Sequence, residues 1–199
     1  MQYTADVFEA MYTHSDDPWQ FKSRWYEERK RALTLACLPQ RRYASGYEPG
    51  CANGELSAAL SSRCDRLLVT DGSPKAVRLA EVRLADLSHV KVRQAWIPEQ
   101  WPIQIFDLIV LSEFGFYLDG PQVDAVAAAA LGSLAPGGTV LACHWRRPIE
   151  GCILDGDQVH RQLGERLALP MASQLVEPDV RIGVWCRDPR SVAQREGFI

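Results

Sequence analysis

One short segment of the chain combines glycines and an acid in a pattern suited to ligand binding. The run Glu48-Pro49-Gly50-Cys51-Ala52-Asn53-Gly54 follows a strand-like stretch and precedes a helical one. Gly50 can adopt backbone angles forbidden to other residues, and without a Cβ atom it lets a ligand lie against the main chain. Gly54 stands at the start of the helix, whose free N–H groups face such a ligand. The run therefore predicts a loop that holds a nucleotide-like molecule.

The spacing within this loop argues against a diphosphate. The G-x-G-x-x-G pattern of dinucleotide sites is absent, and so is the Lys-Ser/Thr ending of phosphate-binding P-loops. Glu48 would repel a diphosphate but could bind an ammonium group. Asp71 ends the next predicted strand, where a carboxylate can accept two hydrogen bonds from a ribose diol. A ligand with a ribose, an amine and no pyrophosphate is indicated, and S-adenosylmethionine (SAM) fits this description.

Two further side chains could hold or move a proton. Glu113 follows a buried strand and could orient or deprotonate an amine nucleophile, which must lose a proton during transfer; alternatively it caps the next helix. His144 ends a later strand and could act as a general base, because its ordinary pKa lies near neutrality; a structural, hydrogen-bonded histidine is the alternative. Phe116, Tyr117 and Trp145 stand near the same strand ends. They suit a sugar or another flat acceptor, and they equally suit the packing of a lid.

Alternating strand and helix patterns place these residues at one edge of a sheet. The alternation predicts a parallel sheet with helices on both faces, and a Pro178-Asp179 turn predicts an antiparallel hairpin at the end. The apolar side of the second helix is expected to carry Trp25, Leu33, Ala36 and Cys37. Ser73 is expected to cap the helix over 74–85, and Pro136-Gly137-Gly138 to close the helix over 120–134. The predicted strands are 43–48, 66–71, 90–95, 106–112, 139–144, 173–177 and 180–187, and the predicted helices are 4–12, 23–38, 55–62, 74–85, 120–134 and 157–167.

Four segments, placed at the predicted strands and the turns that follow or precede them, resemble the motifs of class I SAM-dependent methyltransferases. They are Glu48-x-Gly50-x-x-x-Gly54, Asp71, Phe106–Val110 and Leu134-Ala135-Pro136-Gly137-Gly138. The resemblance implies a doubly wound, mostly parallel α/β sheet of seven strands in the Rossmann-like order 3-2-1-4-5-7-6. It also implies SAM as methyl donor, S-adenosylhomocysteine (SAH) as product and no metal. Further cofactor contacts implied by the resemblance are Cys51, Ala52, Gly72, Ser73 and Ser112.

The sequence departs from this family after the third strand, where an Asp often accepts from the adenine amine. Here the chain reads Gln94-Ala95-Trp96-Ile97-Pro98. Adenine is therefore expected to use backbone groups of Ala95 to Ile97 and to pack on Trp96 or Ile97.

A narrower resemblance extends toward both ends of the chain. Asp17-Pro18-Trp19, Tyr26-Glu27, Lys30 and the run Ser112-Glu113-Phe114-x-Phe116-Tyr117-Leu118 resemble the nodulation protein S group. Those enzymes methylate the free amino group of a de-N-acetylated chito-oligosaccharide. The resemblance implies that Trp19 and Lys30 close over the cofactor, with Lys30 reaching its carboxylate. It implies a substrate surface that includes Tyr26, Phe116, Tyr117 and Trp145.

The expected activity is N-methylation of an amino sugar or similar small amine. The alternatives are a small-molecule O-methyltransferase and a non-catalytic SAM-binding sensor or partner protein. A third possibility is a nicotinamide-dependent oxidoreductase, which predicts NAD binding.

Composition places the chain among globular proteins. Its 199 residues predict one domain over 1–199, with a helical lid over 1–42 and a Rossmann-like core over 43–190. The net charge of −3 disfavours a nucleic-acid partner. Six cysteines without a C-x-x-C pair predict free thiols rather than a zinc site. Without a transmembrane-length apolar run or a signal-like start, the protein is expected to be cytoplasmic and free of membranes.

Overall fold

The computed structural model describes residues 3–199, which form a seven-stranded sheet of order β3-β2-β1-β4-β5-β7-β6. Strands β1 to β5 pair in parallel, and β7 runs antiparallel to both of its neighbours. This confirms the predicted fold class and strand order. The strands are β1 (Gly46–Pro49), β2 (Leu67–Asp71), β3 (Val90–Gln94), β4 (Phe106–Ser112), β5 (Leu134–Trp145), β6 (Met171–Val176) and β7 (Val180–Cys186).

Local capping signals set where several helices begin. The Ser73 side chain accepts a hydrogen bond from the Ala76 amide at the start of α4, as the sequence predicts. Asp119 and Asp155 form capping boxes at the starts of α5 and α6. The helices are α1 (Ala5–His14), α2 (Trp25–Cys37), α3 (Glu55–Ser61), α4 (Pro74–Arg83), α5 (Gly120–Ser133), α6 (Gly156–Leu167) and α7 (Val192–Arg195), with a 3₁₀ turn at Gly115–Tyr117.

The central strand β4 is buried on both faces, as its apolar run predicts. Leu108 and Val110 belong to one apolar cluster, whereas Ile109 and Leu111 belong to another on the opposite face. This alternation follows from the two-residue period of a strand. Because both faces of the sheet are covered, the loops at the strand ends are where ligands can enter.

The apolar side expected for α2 is only half confirmed, because Leu33 and Cys37 pack against the core but the other two residues do not. Trp25 is 69% exposed and Ala36 is also exposed, whereas Glu27, Lys30 and Thr34 are buried. The buried face of α2 is polar because charged and hydrogen-bonding partners lie opposite it. Burial of a charged group is tolerated when it is paired and hydrogen-bonded.

The Pro136-Gly137-Gly138 run also differs from expectation, since it lies inside β5 rather than between helix and strand. Phe106 pairs with Leu134 and Leu108 with Thr139, so the register shifts at this point. The extra residues form an irregularity of the bulge type, with Gly137 at φ +76°.

In the described part of the chain, none of the helices has the length and apolar composition of a membrane span.

Candidate active site

A cavity of about 430 Å³ opens at the carboxyl edge of the parallel strands. Its volume lies within the range of roughly 300–1,000 Å³ that is usual for small-molecule sites. A smaller side pocket of about 50 Å³ adjoins it beside the loop after β1. The cavity brings together most predicted ligand residues, namely Trp19, Tyr26, Lys30, Gly50, Ala52, Asp71, Gly72, Ala95, Trp96, Ile97, Glu113, Phe116, Tyr117 and Trp145. Glu48, Cys51 and Ser112 line the side pocket.

The loop after β1 bends sharply over the end of β2. The amides of Gly50 and Cys51 both donate to the Thr70 carbonyl, at 2.7 and 2.9 Å. Gly50 has φ +73°, and a Cβ atom there would lie 3.4 Å from Phe114. Such a backbone angle strongly favours glycine. The predicted need for glycine at this bend therefore agrees with the observed geometry.

Asp71 is held rigidly at the end of β2. Its Oδ2 accepts from the Ala52 amide and its Oδ1 from the Ser73 amide, both at 2.9 Å. Burial raises the pKa of Asp71, and these backbone hydrogen bonds oppose the shift. Each carboxylate oxygen retains further acceptor capacity. The position fits a ligand that offers a pair of hydroxyl groups.

The side pocket contains two buried oxygen atoms without hydrogen-bond partners of normal geometry in residues 3–199. They are Oε2 of Glu48 and Oδ1 of Asn53. The amide nitrogen of Asn53 donates to Asp17, 3.0 Å away, so its oxygen is turned elsewhere. Burial raises the pKa of Glu48 to about 8, although the nearby Ser57 side chain acts to lower it. Buried polar groups are nearly always hydrogen-bonded, so these two acceptors fit a ligand that ends in an ammonium group, as SAM does.

At the opposite end of the cavity, the Trp96 ring lies directly against Gly72. A Cβ atom on Gly72 would come within 2.6 Å of that ring. The Ala95 amide donates to the Asp71 carbonyl and the Trp96 amide to the Gln100 side chain. These two amides thus already have protein partners. An acceptor for the adenine amine would be a carbonyl, and that of Trp96 already accepts from the Gln100 amide at 2.8 Å; both modes of adenine binding stay predictions, and Ala95, Trp96 and Ile97 all line the cavity.

A buried lysine joins two acids beside the cavity. Lys30 Nζ lies 2.8 Å from Oε1 of Glu113 and 2.9 Å from Oε2 of Glu27. Burial acts to lower the pKa of Lys30, but the carboxylates outweigh it and raise that pKa. Burial likewise raises the pKa of Glu27. In residues 3–199 the partners of Lys30 are these two carboxylates, and because Lys30 also lines the cavity, its contact with the cofactor carboxylate stays a prediction.

Glu113 has an unusual backbone conformation for a residue with a side chain, with φ +58°. Its amide donates to the Cys143 carbonyl at 2.9 Å, and its Oε2 accepts from the Trp145 amide at 3.1 Å. With Lys30 on the other oxygen, the carboxylate is tied to two different elements. Non-glycine residues in this region concentrate at functional sites. The alternative role as a helix cap does not match these contacts.

Three predicted site residues line neither the cavity nor the side pocket. His144 is fully buried, and its burial lowers its pKa to about 3, so its interpretation as a general base is wrong. Gly54 has φ +81°, and its missing Cβ makes room for Ala80 of α4. Ser73 caps α4 and donates to Glu9. These residues support the loops that carry the site instead of lining it.

The sequence analysis assigned no site role to several residues that line the cavity, namely Tyr3, Phe8, Tyr12, Phe21, Arg24, Glu27 and Phe114, although Glu27 and Phe114 lie in the motifs that resemble nodulation protein S. The Phe8 ring contacts Tyr117 with centroids 5.0 Å apart, and Tyr12 contacts Trp19 at 5.7 Å. For Glu27 the sequence did contain a signal, because Glu27 and Lys30 are three residues apart on a predicted helix, a spacing at which side chains meet. The aromatic residues of α1 carried no such signal.

A sheet of this order, with a glycine bend after β1 and an acid ending β2, defines the class I SAM-dependent methyltransferase fold. Within it, the chain belongs to the nodulation protein S (NodS) family, whose model matches residues 6–147. Nodulation protein S of Rhizobium tropici is 32% identical over 126 residues, which is 62% of this chain and 53% of that protein. The chain thus spans little more than half the length of this curated relative.

Two crystal structures are also similar. A candidate methyltransferase from Pseudomonas syringae shares 50% identity, covers 82% of this chain and 100% of its own, and superposes with a TM-score of 0.75. The N-methyltransferase NodS from Bradyrhizobium japonicum WM9, in complex with SAH, shares 26% identity. It covers 92% of this chain and 98% of its own, with a TM-score of 0.82.

Proposed function

We propose that the protein is a SAM-dependent methyltransferase whose acceptor is the amino group of a small molecule, with an amino sugar as the leading candidate. The observation that carries this proposal is the cluster of Glu27, Lys30 and Glu113 at the wall of an aromatic cavity. Two carboxylates against one ammonium leave an excess negative charge at this buried part of the wall, whereas the other cation that lines the cavity, Arg24, is exposed to solvent. Such a wall, with aromatic faces nearby, suits a cationic acceptor better than an anionic one.

The residues around the glycine bend support SAM as the methyl donor. Glu48 and Asn53 offer unpartnered acceptors for its ammonium group, and Asp71 offers its carboxylate to the ribose hydroxyls. Trp96 offers an aromatic face for the adenine. When bound, SAM supplies an electrophilic methyl group next to its sulfonium. The relative crystallised with SAH adds support for this cofactor class.

The chain's own contribution to transfer would be positioning and proton removal. An amine attacks only when neutral, so an acceptor that arrives as an ammonium ion must lose a proton. Glu113 faces the cavity, and its fixed oxygens can orient that group and accept its proton. Lys30 keeps the carboxylate in place, and Glu27 adds a second buried acid with a raised pKa. Holding the acceptor in line with the methyl group would supply most of the rate enhancement.

The test is methyl transfer from labelled SAM to a matched acceptor panel. De-N-acetylated chito-oligosaccharides are compared with fully N-acetylated ones of the same length, beside simple amines and phenols. We expect label only in acceptors with a free amino group. Label in hydroxyl-only acceptors would make the protein an O-methyltransferase, and SAM binding without any labelled product would favour a sensor. Absence of SAM binding, or binding of NADH, would overturn the proposal.

A further inference from the structure

Two buried histidines meet beneath the cavity without lining it. Nδ1 of His144, on β5, lies 3.2 Å from Nε2 of His160, on α6. His144 is completely buried and His160 is 3% exposed. On the other side of its ring, Nε2 of His144 lies 3.2 Å from the amide nitrogen of Gly115. The proposed reaction uses neither histidine.

The Gly115 contact determines where the protons lie. A backbone amide can only donate, so Nε2 of His144 must carry a lone pair. The proton of neutral His144 is then on Nδ1 and is donated to Nε2 of His160. His160 in turn carries its proton on Nδ1, which has no partner of normal geometry in residues 3–199. Against the larger effect of burial, a hydrogen bond to the backbone of Arg181 acts to raise the pKa of His160.

The surroundings favour the neutral state of both rings. Phe116 and Trp185 contact the pair through their rings, at centroid distances of 5.6 Å to His144 and 6.0 Å to His160. Burial lowers the pKa of both histidines. The charge of Lys30 lowers that of His144 further, and Arg181 opposes protonation of His160, with Asp157 acting in the opposite sense. Protonation of His144 would also place a donor against the Gly115 amide.

Gly115 connects the histidine pair to the residues that line the cavity. It begins the 3₁₀ turn directly after Glu113 and Phe114, and the turn carries Phe116 and Tyr117 into the cavity. A Cβ atom at Gly115 would lie 2.6 Å from Val159 and 2.9 Å from Nε2 of His144. The loop therefore rests tightly on the histidine.

We infer that His144 and His160 form a neutral hydrogen-bond relay that positions the loop over 113–117 and thereby the acceptor side of the cavity. His144 acts as a positioning residue through the Gly115 amide, and His160 acts through His144 by keeping its proton on Nδ1. The consequence for catalysis rests on the proposed function, but the proton arrangement does not.

The first measurement is a long-range proton–nitrogen correlation spectrum of the full chain labelled with ¹⁵N-histidine, recorded near neutral pH. We expect His144 to show a protonated Nδ1 and an unprotonated Nε2, both free and with saturating SAH. A proton on Nε2, or a doubly protonated ring, would overturn the inference.

The second measurement is hydrogen exchange at the Gly115 amide in two variants. His144→Leu removes the acceptor, so exchange should quicken by about tenfold or more, whereas His144→Gln can place its carbonyl oxygen near the lost nitrogen and should keep most of the protection. Exchange of the Gly115 amide in His160→Leu should be as fast as in His144→Leu, and in His160→Gln it should be as slow as in the parent. The two His160 variants replace the His144 pair as the test if His144→Leu fails to fold. Unchanged exchange in the Leu variants would contradict the relay.

A third readout separates this inference from the proposed function. With a de-N-acetylated chitotetraose as acceptor, His144→Leu should raise the acceptor KM or lower kcat while the SAH Kd stays within about threefold, and His144→Gln should recover the loss. If no acceptor is methylated but the proton arrangement and exchange behave as expected, the proposed function fails and the relay stands. An acceptor KM and kcat unchanged in His144→Leu would exclude a positioning role.

Discussion

The ammonium nitrogen of Lys30 lies 2.8 Å from Oε1 of Glu113, although 83 positions separate the two residues in the chain. One belongs to α2, which covers the cavity, and the other to the end of the central strand β4. The pair therefore ties the covering helix to the residue best placed to meet an acceptor. Because both partners are largely buried, the contact is screened less by solvent than an ordinary surface ion pair.

Replacing Glu113 should separate methyl transfer from cofactor binding. Glu113→Gln preserves the shape but removes the charge and the proton acceptor, so kcat with an amine acceptor should fall by about 10²–10⁴-fold. The SAM Kd, measured by calorimetry, should change by less than about threefold, since Asp71 and the glycine bend are untouched. Glu177→Gln is the matched control. It breaks the pairing of Arg29 on α2 with Glu177, outside the cavity, and should alter kcat by less than about twofold. Equal losses in the two variants would contradict the role of Glu113.

A methyl group at the glycine bend should weaken SAM binding specifically. Gly50→Ala forces an alanine into φ +73° and puts a Cβ atom into the ligand-binding turn, so affinity should drop by more than about tenfold. Gly137 offers a matched control because it has φ +76° and open space where a Cβ would stand. Gly137→Ala should cost a similar amount of stability, about 1–2 kcal/mol, without changing affinity. SAM affinity preserved in Gly50→Ala would mean that the ligand lies elsewhere.

Binding of SAM should release a proton from Glu48. Burial raises the pKa of this carboxyl to about 8, so it is largely protonated near pH 7, and a nearby cation lowers the pKa and expels the proton. Affinity should therefore increase as the pH rises from about 6 to 8. Calorimetry in buffers with different ionisation enthalpies measures the protons released. Glu48→Gln should abolish the release, and a buffer-independent binding enthalpy in the parent protein would count against this assignment.

The burial of neutral His144 should make the fold less stable as the pH becomes acidic. Its pKa is lowered to about 3 in the folded chain, so the unfolded chain binds more protons below about pH 6.5. The free energy of unfolding thus loses a contribution as the pH falls through this window, by at most about 1.4 kcal/mol per pH unit. The raised pKa of Glu48 acts in the opposite direction, so the comparison must be made with His144→Gln. Denaturant unfolding at several pH values should give a parent-minus-variant difference that declines toward acid. A constant difference would be the contrary result.

The sequence by itself determined most of the elements, though not α7 or the 3₁₀ turn, and it placed the ends of the strands that carry the site to within one residue. The buried run Phe106–Ser112 was predicted with its observed bounds, and the Ser73 cap of α4 was predicted as found. Asp71 was expected at the end of β2 and lies there. These features depend on local periodicity, capping and turn chemistry, all of which act over a few residues. The strand order came from the family resemblance and agrees with the structure.

Only the tertiary structure decided which side chains meet. The sequence placed His144 at a strand end, but the alternation of the strand and the packing of α6 turned it into the core, away from the cavity. The family resemblance gave Lys30 a cofactor carboxylate as partner but offered no protein partner, whereas the docking of α2 on the sheet edge brings it against Glu113. Such contacts join residues far apart in the chain, and their energies depend on burial and mutual geometry, which no local pattern of residue types specifies.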